Sequence, residues 1–300
     1  MRHPAVSSVV VLVILASGAA HAQWERATGF DASAKQITGF TTVGARVYAL
    51  GSVVQYSDDA GRTWAAAAKV PARARRLASF RDKLFVVSEG GEVHASSTID
   101  GPWKSVHRAD YLGHRSGIVA TTSALWVHGK PGLLRSTDGK AFKRVPLGAT
   151  FKDWEVAGIA EVDAGELVAL AAPPNRDAGF ILTSKDAGKT WTRPLVGAEG
   201  TTLHAQGRTL IVASAGRIDR STDGGATWVE VWRAPSDEVR YNPYSDPGAG
   251  VFAFASTGAG ALTLDGGATW HEPFLPLELQ SPVLGAVREG DAVWAIAAPF

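Results

Sequence analysis

The stretch that decides the fold is Ser221–Trp228, which reads S-T-D-G-G-A-T-W. It returns as S-D-D-A-G-R-T-W at Ser57–Trp64 and as S-K-D-A-G-K-T-W at Ser184–Trp191. A fourth copy, T-L-D-G-G-A-T-W at Thr263–Trp270, has Thr in place of the first Ser. Four copies of one octet, S-x-D-x-G-x-T-W, indicate that a structural unit repeats along the chain.

Each position of the octet has a role in folding. The copy at Ser221–Trp228 follows the apolar run Leu210–Ser214 and leads into Trp228–Trp232, which is the pattern of strands joined by a tight turn. Asp223 can accept hydrogen bonds from backbone N–H groups ahead of it, and Gly225 tolerates a positive φ. The Trp is large and apolar, so we expect it to pack the hairpin onto a neighbour. The octet is therefore predicted to be structural rather than catalytic.

Two eroded copies fill the gap between the first and second clean ones, at 97–103 and 136–142. The turn aspartates of all six copies are Asp59, Asp100, Asp138, Asp186, Asp223 and Asp265. They are separated by 41, 38, 48, 37 and 42 residues. A period of about 40–45 residues with four short strands per repeat is typical of a β-propeller blade.

The octet resembles the Asp-box, or BNR repeat, of sialidases and related propellers. In that family the box lies on the hairpin between the third and fourth strands of a blade, on the face away from the active site. The resemblance implies a structural role for the box residues, which are the six turn aspartates together with Trp64, Trp191, Trp228 and Trp270. In size and box density the chain is also similar to the photosystem II assembly-factor propellers.

The repeat predicts an all-β fold, a seven-bladed propeller, with six blades as the alternative. The tail segments Val283–Arg288 and Ala292–Ala298 are expected to form strands of the last blade. Gln23–Ala27 resembles a strand that follows a box and is expected to complete the same blade. Closing the ring with strands from both ends would leave no exposed sheet edge.

The first residues have the pattern of an export signal. A basic start is followed by the apolar run Ala5–Ala16 and by an A-x-A site that ends at Ala22. Residues 1–22 are therefore predicted to be a signal peptide and residues 23–300 a single propeller domain, periplasmic or secreted. A membrane anchor is the alternative, but the run is shorter than the ~20 residues of a span. No membrane span is expected after cleavage.

Composition narrows the function classes. The chain has no Cys, so disulfides and thiolate metal sites are excluded. Without Arg2 the mature chain holds 29 basic and 29 acidic side chains, so no basic surface for binding nucleic acid is expected. The sequence contains neither G-x-S-x-G nor H-E-x-x-H. We expect no cofactor, no metal and a monomer.

Candidate binding residues lie on the top face, defined here by the loops between blades and between the second and third strands of each blade. Arg76, Arg115 and Arg240 fall near the starts of innermost strands, where they could hold a carboxylate or phosphate bidentately. The alternative is that these arginines are rim charges paired with nearby carboxylates. The other candidate ligand-binding residues are Trp154, Glu238 and Tyr241. No catalytic residue is assigned.

Two functions are left open. The first is a non-catalytic exported propeller that binds a protein or glycan partner. The alternative is a divergent sialidase-like glycoside hydrolase, which the resemblance implies would need an arginine triad and a Tyr–Glu pair. The family's R-I-P motif is absent, and Arg217-Ile218-Asp219 is the nearest match.

Overall fold

The computed structural model confirms an all-β chain folded as a β-propeller. The structure describes residues 10–15, 28–29, 39–44, 46–51, 53–59, 61–71, 73–88, 90–97, 101–109, 116–130, 132–194, 197–214, 217–233, 242–246, 251–256, 259–263, 265–270, 283–289 and 292–297.

Five sheets have four antiparallel strands each, in chain order from the innermost strand outwards. Blade one has β2 (Gly39–Val43), β3 (Arg46–Leu50), β4 (Val53–Ser57) and β5 (Ala65–Lys69). Blade two has β6 (Ala74–Phe80), β7 (Lys83–Ser88), β8 (Glu92–Ser96) and β9 (Lys104–Arg108). Blade three has β10 (Gly117–Ala120), β11 (Leu125–Gly129), β12 (Gly132–Ser136) and β13 (Lys143–Val145). Blade four has β14 (Glu155–Asp163), β15 (Glu166–Ala172), β16 (Gly179–Ser184) and β17 (Glu199–Gly200). Blade five has β18 (Thr202–Gln206), β19 (Thr209–Ser214), β20 (Arg217–Ser221) and β21 (Val229–Arg233).

Two further sheets have three strands each. One consists of β22 (Asn242–Asp246), β23 (Val251–Ser256) and β24 (Ala259–Thr263). The other has the order β1-β26-β25, with β1 (Val10–Leu15), β25 (Val283–Glu289) and β26 (Ala292–Ala297).

The predicted blade count is wrong. The structure has five four-stranded blades in its described residues, rather than the seven or six that the period of the octet suggested. The last sheet does combine both ends of the chain, but the N-terminal strand seated in it is β1, which lies inside the predicted signal peptide. The predicted strand at Gln23–Ala27 falls outside the described residues.

The core lies between neighbouring blades. The second strand of a blade has a blade on each side, so it reads as a continuous apolar run, as in β15 and β19, where both faces are buried. Leu133 of blade three packs in one cluster with Leu167 and Leu182 of blade four. Val168 of blade four packs in the same way with Val212 of blade five.

The innermost strands form the centre of the propeller. Contacts join β25 to β2, β2 to β6, β6 to β10, β10 to β14 and β14 to β18. Polar bonds reinforce one of these pairs, because Thr41 Oγ1–H donates to Ser79 Oγ (3.2 Å), and Ser79 Oγ–H donates to the Thr42 carbonyl (2.7 Å). Adjacent blades are therefore held at their inner edges as well as through their apolar faces.

Candidate binding surface on blade four

Each clean octet closes on itself through the same hydrogen bonds. In the copy at Ser184–Trp191, Gly188 N–H donates to Ser184 Oγ (2.9 Å), and that hydroxyl donates to Asp186 Oδ1 (2.8 Å). Asp186 also accepts from Thr190, from its N–H (2.8 Å) and its hydroxyl (2.6 Å). The indole N–H of Trp191 donates to the Gly188 carbonyl (3.1 Å). The same set recurs at 57–64, 221–228 and 263–270.

The box carboxylates are held ionised by their own turns. Hydrogen bonds from the Thr190 hydroxyl and N–H lower the pKa of Asp186 to about 2. In the eroded copy of blade three, the N–H groups of Ala141 and Lys140 lower the pKa of Asp138 to about 2. Asp100, in the other eroded copy, lies outside the described residues. A carboxylate whose oxygens are occupied in this way is a poor general acid at neutral pH.

The box also packs against the preceding blade. Trp64 and Trp191 are buried, while Trp228 and Trp270 are half-buried against apolar clusters. A Cβ on Gly267 would lie 2.7 Å from Ile211 Cδ1 of blade five, so the turn backbone sits directly on that side chain. We call the face that carries these turns the box face.

Two of the six predicted ligand-binding residues, Arg76 and Trp154, lie within the described residues. Arg76 lies in β6 of blade two, where its Nη1–H donates to the Arg75 carbonyl (3.0 Å), and Trp154 precedes β14 of blade four. Arg76 belongs to blade two and Trp154 to blade four, and β10 of blade three lies between their inner strands. The remaining four, Arg115, Glu238, Arg240 and Tyr241, are outside the described residues.

Trp154 belongs to a group of aromatic and charged side chains on the top face. We call this group the blade-four cluster: Phe151, Trp154, Arg176, Phe180, Arg193 and Glu199. The ring centroids of Phe151 and Trp154 are 4.9 Å apart in an edge-to-face arrangement, and Trp154 lies 5.9 Å from Phe180. The guanidinium carbons of Arg193 and Arg176 lie 3.5 Å and 4.7 Å from the centroid of the Phe180 ring. Arg176 also forms an ion pair with Glu199 (3.2 Å).

Three local structures position the cluster. Trp154 follows a 3-10 turn at Ala149–Phe151, and its N–H donates to the Phe151 carbonyl (3.0 Å). The start of β14 is fixed by His128, whose Nδ1 lies 3.1 Å from the Val156 carbonyl oxygen. Arg176 lies in the Pro-rich connection between β15 and β16, in which Asn175 has a φ of 66°.

Arg193 and Glu199 come from the outer edge of blade four. The residues after the box of blade four form only a bridge between Thr192 and Thr183, which is followed by β17. Pro194 has no N–H to donate to a ladder, which explains why regular pairing stops there.

The chemistry of the cluster is that of a recognition surface. Phe180 is buried, and Arg193 is exposed. Within the described residues, Arg193 has no ion pair and no hydrogen bond, so its N–H donors face solvent. Stacking on an aromatic ring leaves the in-plane donors of a guanidinium available for a carboxylate.

Sequence reasoning selected Trp154 but missed Phe180 and Arg193. The sequence gives little indication of these two residues. Phe180 begins a strand and Arg193 follows a box, and their spacing along the chain does not predict a contact between them. Their contact depends on the antiparallel pairing of β16 with the outer edge, where Phe180 is opposite Glu199.

The described residues contain neither a group of potential metal ligands nor a membrane-spanning helix. Nowhere in the described ranges do three His, Cys, Asp or Glu side chains converge in a way that could hold a metal ion. The described part of the chain has no helix with the length and apolar character needed to span a bilayer.

The propeller fold and the repeated, hydrogen-bonded octet together define an Asp-box (BNR) β-propeller. The BNR/Asp-box repeat family matches residues 55–66, the turn of blade one. No curated protein matches the chain in sequence.

Solved structures share the fold at low identity. YCF48 bound to D1 peptide superposes with a TM-score of 0.60 at 14% identity, over 87% of this chain and 93% of that one. YCF48 from Cyanidioschyzon merolae gives 0.58 at 13% identity, over 99% and 97%. The GH74 xyloglucanase from Xanthomonas campestris gives 0.60 at 17% identity, over 88% of this chain and 51% of the enzyme. At such identities the likeness concerns the fold alone.

Proposed function

We propose that this chain is an exported, non-catalytic Asp-box β-propeller that binds a protein partner through the blade-four cluster. The observation that carries the proposal is Arg193, an exposed guanidinium stacked 3.5 Å above the Phe180 ring with no carboxylate partner among the described residues. Because stacking already restricts the side chain, less conformational entropy is lost when it binds.

The chemistry of the cluster favours a protein segment that carries carboxylates. Arginine pairs with carboxylates through two parallel hydrogen bonds. Arg and Trp are enriched among the residues that contribute most to protein–protein binding, and Arg193 and Trp154 lie in one cluster here. That YCF48, a propeller of similar fold, was solved bound to D1 peptide supports a protein partner rather than a glycan.

Peptide selection followed by mutation tests this site. A displayed library of linear peptides is selected against residues 23–300, and the selected peptides are measured by calorimetry. We expect them to be rich in Asp and Glu. Arg193→Ala should weaken their binding at least tenfold, or about 1.4 kcal/mol. Arg193→Lys keeps the charge without the planar fork and should lose most of the same affinity.

Arg81 provides the matched control. It is exposed and stacked on Phe80 at 5.4 Å, but it lies in the β6–β7 turn on the box face. Arg81→Ala should leave peptide binding unchanged. Equal losses in the two Ala variants would show that general positive charge binds the peptides, and the blade-four cluster would no longer be the site.

Export and the absence of catalysis have tests of their own. In N-terminal sequencing of the protein from the cell envelope or medium, the first residue should be Gln23.

A panel of fluorogenic sialosides and other glycosides should give no turnover. Turnover that disappears in Arg240→Ala or Tyr241→Phe would replace the binding function with the hydrolase alternative.

A further inference from the structure

Two guanidinium groups share one aromatic ring in the blade-four cluster. The guanidinium carbons of Arg193 and Arg176 lie 3.5 Å and 4.7 Å from the centroid of the Phe180 ring. Like charges held beside the same ring repel one another, and a neighbouring anion reduces this repulsion. How much of the positive charge is left for a partner therefore depends on the carboxylate that belongs to the cluster.

That carboxylate is Glu199. It is opposite Phe180 in the antiparallel pairing of β16 with β17, and residues directly opposite one another have their side chains on the same face of the sheet. Its Oε2 lies 3.2 Å from Nη2 of Arg176. Among the described residues, no carboxylate pairs with Arg193. Glu199 thus occupies one of the two guanidinium groups, although it lies beside the ring on which both are stacked.

We propose that Glu199 determines which acidic segments the blade-four cluster binds. With Arg176 already paired, the cluster offers the guanidinium of Arg193, which fits one carboxylate. A second negative charge next to the first would be repelled by Glu199, which is the kind of repulsive element that gives a binding site its specificity. The inference rests on the proposed function, because it takes the blade-four cluster as the binding site.

The partner segment is therefore one with an isolated Asp or Glu between uncharged residues. Segments with consecutive acidic residues bring a second charge to Glu199 and are disfavoured. A phosphorylated residue carries about two negative charges on one group and is disfavoured for the same reason.

The ion pair can be broken without damage to the fold. The side chains of Arg176 and Glu199 are 51% and 48% exposed. Ion pairs with this much contact with water contribute little to stability. Glu199→Gln keeps the size of the side chain and removes its charge, so the variant should fold normally and differ from the wild type in selectivity.

The first test repeats the peptide selection on Glu199→Gln. In peptides selected on the wild-type protein, the acidic residues should fall at one aligned position with uncharged neighbours. In peptides selected on Glu199→Gln, pairs of neighbouring acidic residues should appear, because Arg176 has lost this carboxylate. Glu92→Gln is the matched control, since Glu92 forms an exposed ion pair with Arg108 (3.7 Å) in blade two. Its peptides should have the wild-type pattern.

Calorimetry with two defined peptides measures the size of the effect. The first is the tightest peptide selected on the wild type, and the second is the same peptide with the residue next to its acidic residue replaced by Glu. The ratio of the second Kd to the first should be at least about fivefold lower in Glu199→Gln than in the wild type, which is the effect of one unit charge about 4 Å away in water. Comparing ratios cancels the effect of the replaced residue itself.

Two failures can be told apart. If neighbouring acidic residues were equally frequent in both selections and the Kd ratios were equal, Glu199 would not set the specificity, and this inference would be wrong. The proposed function would still hold in that case, provided that Arg193→Ala weakened binding of the first peptide. If Arg193→Ala left that binding unchanged, the blade-four cluster would not be the site, and both the proposed function and this inference would be wrong.

Discussion

At the scale of single residues, the position after the box aspartate requires a left-handed backbone. Gly224 and Gly266 occupy it with φ of 77° and 67°, but Ala187 occupies the equivalent place with φ of 60°. A residue with a Cβ costs roughly 1–2 kcal/mol in this conformation. Glycine avoids this strain, but it lowers the stability of the folded state by about 0.4–1 kcal/mol because the unfolded chain has greater entropy.

Ala187→Gly should therefore stabilise the protein by about 0.5–1 kcal/mol, as measured by urea unfolding. Gly224→Ala is the reverse change. It should destabilise, both through its positive φ and because the new Cβ would lie 2.9 Å from Arg208 Nη2. A loss of stability in Ala187→Gly would mean that the turn does not strain Ala187.

At the scale of the element, the box hairpin acts by packing its turn onto the preceding blade. Gly139 of the eroded box in blade three has φ of 70°, and a Cβ there would lie 2.5 Å from Phe85 Cζ of blade two. Gly207 in the β18–β19 turn has φ of 55°, but a Cβ there would meet no atom within 4 Å. The two glycines thus share a conformation and differ in their surroundings.

Substituting both glycines separates conformation from packing. Gly207→Ala should cost about 1 kcal/mol, the conformational penalty alone. Gly139→Ala should cost about 2–4 kcal/mol, because overpacking against Phe85 adds roughly 1–3 kcal/mol. Chemical denaturation of the two variants provides the comparison. Equal losses would show that the blades do not meet closely at this turn.

The elements also show what the sequence could and could not predict. The hairpins were predictable because the hydrogen bonds of each box are local, as between Ser184 and Gly188. The number of complete blades was not, because the period counts turns, whereas a blade needs four paired strands. The blade-four cluster was only partly predictable, since the contact between Arg193 and Phe180 arises from strand pairing across the blade edge.

At the scale of the whole molecule, the boxes place ionised carboxylates around one face of the propeller. Hydrogen bonds from the turn lower the pKa of Asp186 and Asp138 to about 2 each. Burial alone would raise the pKa of Asp265, but hydrogen bonds from Thr269 and Thr263 outweigh it and lower that pKa to about 2. The Thr227 hydroxyl and N–H lower the pKa of Asp223 further still.

These shifts predict that the protein loses stability in acid within a defined window. The pKa of Asp in an unfolded chain is about 3.9. Below about pH 4 the unfolded chain therefore binds protons that the folded boxes do not bind. The contribution of the boxes is therefore complete above about pH 5 and is lost as the pH falls towards 2. Thermal melting across this range should show a steep fall in Tm.

In Asp186→Asn the deficit in Tm should be largest above pH 5 and should shrink towards pH 2, because the wild type loses the same charge there. Asp153, exposed on the top face without a hydrogen bond among the described residues, gives the control, and Asp153→Asn should follow the wild-type curve. If Asp186→Asn instead ran parallel to the wild type from pH 7 to pH 2, the ionised box would not be what stabilises the propeller in this window.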